Sequence, residues 1–237
     1  MIYRIFIKYK LLRLFPLVIT SDISLTFQHK KNILKFSIIK LLCLVVCSAF
    51  TFPVWGQYNW KLSKEKDGIK VYQSPVKNSS YKSIKVEATM DGTFDKLIAV
   101  LNNVSHFKDW VYNNKTAYIL KTVSPVEYYY YSETFLPWPI SNRDAVEHLK
   151  IERDSLNRFL KINATSEPGM VPEKSGKVRV PSSTISWHVT MPNAKTIFIN
   201  YIFEAEPGGS IPAWLANMFA DKGPFESFKK LAELLKQ

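Results

Sequence analysis

The segment Arg143-Asp-Ala-Val-Glu-His-Leu149 holds the side chains best placed for chemistry. In an extended chain, period-two alternation puts Arg143, Ala145, Glu147 and Leu149 on one face. Asp144, Val146 and His148 then take the other. A glutamate beside a hydroxyl can exchange protons with a bound molecule, so Glu147 with Ser132 or Thr134 is the one grouping suited to acid–base catalysis. Other chemistries lack their groups. His106, His148 and His188 have no metal-ligand spacing, and no His-Glu-x-x-His, Gly-x-Ser-x-Gly or phosphate-loop motif occurs. Both cysteines, Cys43 and Cys47, precede Gly56, so the remainder has no thiol nucleophile and no cysteine-held metal. No cofactor is expected.

These residues must be positioned by the elements around them. Trp60 to Lys66 reads as one or two helical turns, Asp67-Gly68 as a turn, and Ile69 to Gln73 as a strand. Tyr81 to Met90 alternates again. Thr93 suits a helix N-cap before the stripe Phe94, Leu97, Ile98 and Leu101. Ser105 reads as the cap of a short second helix with Phe107 and Trp110. Strands are expected over Thr116–Val123, Glu127–Phe135, Asp144–Ile151, Arg158–Ala164, Val178–Val180, Thr184–Thr190 and Lys195–Glu206. Their close spacing implies antiparallel pairing. A helix begins near Ile211, is interrupted or kinked at Gly223-Pro224, and continues with Phe225, Phe228, Leu231, Leu234 and Leu235 on one stripe. That stripe needs the sheet as its partner. A strongly curved sheet would leave an apolar space between them, although the pattern fits a filled core equally well.

The chain of 237 residues carries a net charge of +12, and 15 Phe, 12 Tyr and 6 Trp supply material for a large core or an aromatic-lined cavity. The charge is uneven. Residues 1 to 56 hold eight Lys or Arg and one acid, which leaves +5 from Gln57 onward. That excess is too small for a nucleic-acid surface. Lys30, Lys31, Lys35 and Lys40 precede the apolar run Leu41–Phe50, whose length suits a signal peptide rather than a spanning helix. Val54 and Gly56 suit the −3 and −1 positions of a cleavage site. Residues 1–56 are therefore expected to be an N-terminal extension and signal peptide, with cleavage before Gln57 and export. The alternative is a membrane anchor. Residues 57–237 read as one domain.

Three stretches carry a resemblance. Trp60-Lys-Leu-Ser-Lys-Glu-Lys-Asp-Gly-Ile-Lys-Val-Tyr72 looks like the opening of START (StAR-related lipid transfer) domains. Leu136-Pro-Trp-Pro-Ile-Ser-Asn-Arg-Asp144 is similar to the family's central signature. Pro207-Gly-Gly-Ser-Ile-Pro-Ala-Trp-Leu-Ala-Asn217 resembles the entry to its last helix. The resemblance implies an α+β helix-grip fold: a curved antiparallel sheet wrapped around a long C-terminal helix, with an internal hydrophobic cavity. It implies a monomeric carrier or sensor of a lipid or other hydrophobic molecule, without catalysis, making transient membrane contact. The loop Glu167–Gly176 matches the family's cavity gate. The alternative is a helix-grip enzyme of the polyketide cyclase or aromatase type.

The resemblance also makes the face of Arg143, Ala145, Glu147 and Leu149 the cavity face. In choline-lipid carriers of the family an aromatic cage holds the headgroup and an arginine pairs with the phosphate. The cage positions fall here on Ser132, Ala145 and Ser183, and the arginine on Phe107. Leu149 stands where sterol carriers have a buried arginine. Tyr130, Thr134, Trp214 and Met218 complete the cavity candidates, although sheet packing is the preferred reading for Tyr128 and Tyr130. For Glu147 the preferred reading is a solvated residue near a rim. The other reading is a cavity carboxyl that must be paired, hydrated or protonated. Arg143 is read equally as a structural partner of an acidic side chain.

Overall fold

The computed structural model describes residues 58–76, 81–156 and 158–237, without the side chains of residues 213, 214, 217 and 218. The expected signal peptide and cleavage site, and the side chains of Trp214 and Met218, lie outside the described residues.

The order of elements is β1 (Lys61–Lys66), β2 (Ile69–Pro75), β3 (Lys82–Asp91), α1 (Phe94–Asn102), a 3-10 turn (Val104–His106) and α2 (Phe107–Trp110). Then come β4 (Asn114–Ser124), β5 (Glu127–Thr134), β6 (Asn142–Arg153), β7 (Phe159–Ser166), β8 (Lys177–Arg179), β9 (Ser182–Asn193), β10 (Thr196–Glu206) and α3 (Ala213–Lys236). One sheet runs β1-β2-β3-β10-β9-β7-β6-β5-β4. Its ladders are antiparallel, except that β8 lies parallel to β6, off the main path. The sheet does not close into a barrel.

Two local readings are corrected. Lys61–Lys66 is a strand, not helical turns. Asp67 and Gly68 both have positive φ, 53° and 74°. Positive φ at both central residues makes the two-residue hairpin whose twist matches paired strands, and that turn aligns Lys66 with Ile69. Tertiary pairing thus overrides the favourable helical propensity of Lys and Glu, which is a weak determinant on its own. Ser105 is not a helix cap: its hydroxyl bonds Asn103 Oδ1, and a 3-10 turn leads directly into α2. Thr93 does cap α1, accepting from the Lys96 amide. The last helix runs through Pro224 without interruption.

Helix α3 treats its two halves differently. Phe225, Phe228, Leu231 and Leu235 are buried with Val71, Val86 and Ile197 in one core. Toward its start, Ala216, Ala220 and Gly223 face the sheet across a cavity. Ala216, Ala220 and Gly223, beside Phe219, leave one end of the fold open, and the large residues of the second half close the other. Trp187 of β9, Tyr201 of β10 and Phe228 pack with centroids 4.9–5.3 Å apart and mark the boundary between the two. Leu231 is fully enclosed. Leu231→Ala is expected to lower the unfolding free energy by about 3 kcal/mol, since a buried leucine loses its transfer energy and leaves a void. Urea denaturation with unchanged slope would show it.

Candidate functional site

The cavity has a volume of about 380 Å³ and lies between the concave face of the sheet and the first half of α3. Its walls are mostly apolar: Ile84, Leu101, Val111, Ile185 and Phe203 line it with the aromatic residues above. Alternation on β6 holds as read, and Arg143, Ala145, Glu147 and Leu149 all line the space. Phe107, Tyr130, Ser132, Thr134 and Ser183 line it as well. Tyr130 is therefore at the cavity wall, where its ring meets Phe107 edge-on at 5.5 Å. Tyr128 instead packs in the sheet and donates to the Leu101 carbonyl at 2.8 Å.

Glu147 is not a solvated rim residue; it is 5% exposed. Strand register explains its surroundings. Tyr130 stands directly opposite it on β5 and Ser166 on β7. Thr165 faces Thr184, which brings Ser183 next in line on β9. Tyr130 donates to Glu147 Oε2, and Ser183 Oγ donates to Oε1 at 3.0 Å. Because Ser166 is short, and its hydroxyl is engaged by the Ser183 amide at 3.0 Å, Glu147 can reach past it. Burial pushes the Glu147 carboxyl above its usual range; the two hydroxyls oppose this without reversing it.

Glu133, two positions along the neighbouring strand from Tyr131, is the control. It is equally buried, at 4%. Burial pushes its carboxyl up too, but Lys177 at 2.7 Å, Asn142 at 2.7 Å and Lys115 bring it below the usual range. The two are alike in surface exposure, but Glu147 lies deeper in the protein, so depth and partners both separate them. Glu133 has ammonium partners and Glu147 has only hydroxyls.

Arg143 is structural, but no acid pairs with it. Its guanidinium donates to three backbone carbonyls: Pro207 at 3.2 Å, Ser141 at 2.7 Å and Gly208 at 2.8 Å. This fastens the start of β6 to the turn that leads into α3, where Gly208 and Gly209 both have positive φ. Burial lowers the guanidinium's proton affinity.

A buried arginine that does pair with an acid is Arg179, which the sequence reading missed. It bonds Asp144 through Nε at 2.9 Å and Nη2 at 3.0 Å. Its remaining donors go to the carbonyls of Pro168, Val171 and Pro172. All five guanidinium N–H groups are used. A basic residue between Val178 and Val180, set against an unexplained acid 35 positions earlier in an Asn-Arg-Asp motif, was the available signal. The Arg179 network anchors the loop expected as the gate. The loop Glu167–Gly176 does not line the cavity; Arg179 pins it over the opposite face of β6.

Among the described residues, no three His, Cys, Asp or Glu side chains converge as a metal site. His106 and His148 each pair with a carboxylate at 2.8 Å, and His188 packs on Phe159.

The START domain model matches residues 51–237. The chain belongs to the START domain family. An uncharacterized protein of Pseudomonas aeruginosa is 31% identical over 194 residues, spanning 81% of this chain and 95% of its own length. Mouse phosphatidylcholine transfer protein is 26% identical, spanning 75% and 84%. A crystal structure of a STAR-related lipid transfer protein from Xanthomonas axonopodis superposes with a TM-score of 0.68 at 33% identity, covering 75% of this chain and 99% of that one. The helix-grip architecture expected from the motifs is thus the one present. Family membership implies a lipid or other hydrophobic ligand.

The state of Glu147 makes stability depend on pH. Its folded carboxyl holds a proton more tightly than an ordinary one near 4.5. The native state therefore binds more protons than the unfolded state above that pH, and stability falls as pH rises through the folded value. Glu147→Gln removes this component. The variant's unfolding free energy, relative to the native sequence, is expected to increase from about pH 4.5 upward and then level off. Denaturation curves at several pH values measure it.

Proposed function

We propose that this START domain binds one hydrophobic molecule in the cavity beneath α3, and carries or senses it without catalysis. The observation that carries this reading is the apolar 380 Å³ space, which lies toward the small end of the ~300–1,000 Å³ typical of ligand pockets. A filled core would leave no such volume. An acid–base role for Glu147 is less well supported, because both of its oxygens are engaged by wall hydroxyls. Export after cleavage before Gln57 belongs to the same proposal.

The polar inventory favours a neutral or weakly polar ligand such as a fatty acyl, isoprenoid or sterol-like molecule. Ser132, Ala145 and Ser183 offer no π face at the cage positions, and Phe107 offers no cation. Arg143 does line the cavity, but backbone carbonyls already engage it. A buried phosphate would lack a dedicated partner, at a cost of several kcal/mol. In a competition assay, neutral lipids are expected to outcompete phosphatidylcholine by roughly tenfold or more. Phosphatidylcholine binding at least as tightly would overturn the choice of ligand class.

Transfer also needs a docking face, and the β5–β6 connection supplies a candidate. Leu136 lines the cavity, while Trp138 is 92% exposed and Phe135 is 50% exposed. An indole with one polar edge suits the bilayer interface. Trp138→Ala is expected to weaken association with lipid vesicles severalfold in co-sedimentation, with unchanged thermal unfolding.

A further inference from the structure

We infer that Glu147, held by Tyr130 and Ser183, is the site that recognises a hydroxyl head on an otherwise apolar ligand. The inference rests on the cavity reading above and adds the ligand's polar group. Three observations carry it.

The first is geometric. Glu147 lines the cavity, is almost wholly removed from solvent and receives one hydrogen bond on each oxygen. A carboxylate has about four lone-pair sites, so acceptor capacity remains on both oxygens. The second is its isolation. Among the described residues no Lys or Arg pairs with it, unlike Glu133. An apolar cavity wall gives no reason to retain an unpaired carboxyl, because burying one costs several kcal/mol. A ligand donor would complete its coordination. The third is charge. Arg143 lies on the same strand face, about 13 Å away at four residues of ~3.3 Å each, and its guanidinium donates to three backbone carbonyls. Lys82 also lines the cavity. A cationic head would meet these like charges and carry its own desolvation cost. An anionic head would be repelled by Glu147 and drawn toward Arg143 instead. A hydroxyl avoids both penalties, and it can donate to an ionised Glu147 or accept from a protonated one.

The test uses four probes of one chain length: dodecanol, methyl dodecyl ether, dodecylamine and dodecanoic acid. Trp110 and Trp187 line the cavity, so intrinsic fluorescence can report occupancy. Dodecanol is expected to bind the native sequence about tenfold more tightly than the ether, the size of effect that one buried hydrogen bond to a charged group gives. In Glu147→Leu this preference should vanish while the ether still binds. The preference in the native sequence is decisive even if that variant does not fold. Equal affinity for alcohol and ether would overturn the site but leave the cavity reading intact. Tighter binding of the amine or the acid than of the alcohol would also overturn it, the acid by placing the head at Arg143. If none of the four binds, the cavity reading fails and the site fails with it.

Discussion

One long helix, aided by the short α1 and α2, must cover the concave face of a nine-strand path. A helix is about 10–12 Å wide with its side chains, while each strand adds roughly 4.8 Å to the sheet. One helix cannot fill a concave surface of that breadth unless the sheet curls around it and the side chains between them are large. Along the second half of α3 they are large. Phe225, Phe228, Leu231 and Leu235 meet the β2–β3–β10 region and close the core. Along the first half, Ala216, Ala220 and Gly223 leave a gap, and Tyr112 packs against Gly223 so closely that a Cβ there would lie 3.3 Å from its ring. The cavity thus lies where α3 presents Ala216, Ala220 and Gly223 to the sheet.

The same sheet buries ionisable groups on both faces, and it treats them by different rules. On the convex side, Asp144 pairs with Arg179, whose other donors hold the 167–176 loop, and Glu133 pairs with two lysines. These charges are compensated and belong to the architecture. On the concave side, Arg143 rests on carbonyls and Glu147 on hydroxyls. Among the described residues neither forms an ion pair. Adjacent residues of β6 therefore differ in electrostatic role because alternation sends them to opposite faces.

Much of this was legible in the sequence because it depends on local pattern. The period-two faces of β6, the Thr93 cap and the stripe of α3 follow from spacing within a few residues. What was not legible depends on register between distant strands. Tyr130, Glu147, Ser166 and Ser183 form one line across β5, β6, β7 and β9, and no local rule aligns residues 130 and 183. Without that line, Glu147 reads as a rim residue. Arg179 was missed for the same reason: its partner lies 35 positions away, on a strand it joins in parallel. The strand β1 failed differently. Its composition suits a helix, and only the positive φ at both Asp67 and Gly68 commits it to a hairpin.

The concave face then acquires a direction. Arg143 sits where β6 begins, beside the Pro207–Gly209 turn and the entry to α3, and Glu147 sits four residues further in. The guanidinium is spent on holding that turn, so it contributes positive potential more than free donors. The carboxyl is held by two hydroxyls that leave part of its accepting capacity open. A molecule lying along this wall would meet a positive end near the helix entry, an accepting group deeper in, and hydrocarbon beyond at Leu149 and Ala164. On the proposed reading, a phosphate or choline head finds no dedicated partner at Phe107, Ser132, Ala145 or Ser183. A short polar head with a donor matches it at Glu147, and apolar volume accommodates the rest. Selectivity in such a cavity comes less from strong attraction than from the desolvation cost that excludes mismatched heads.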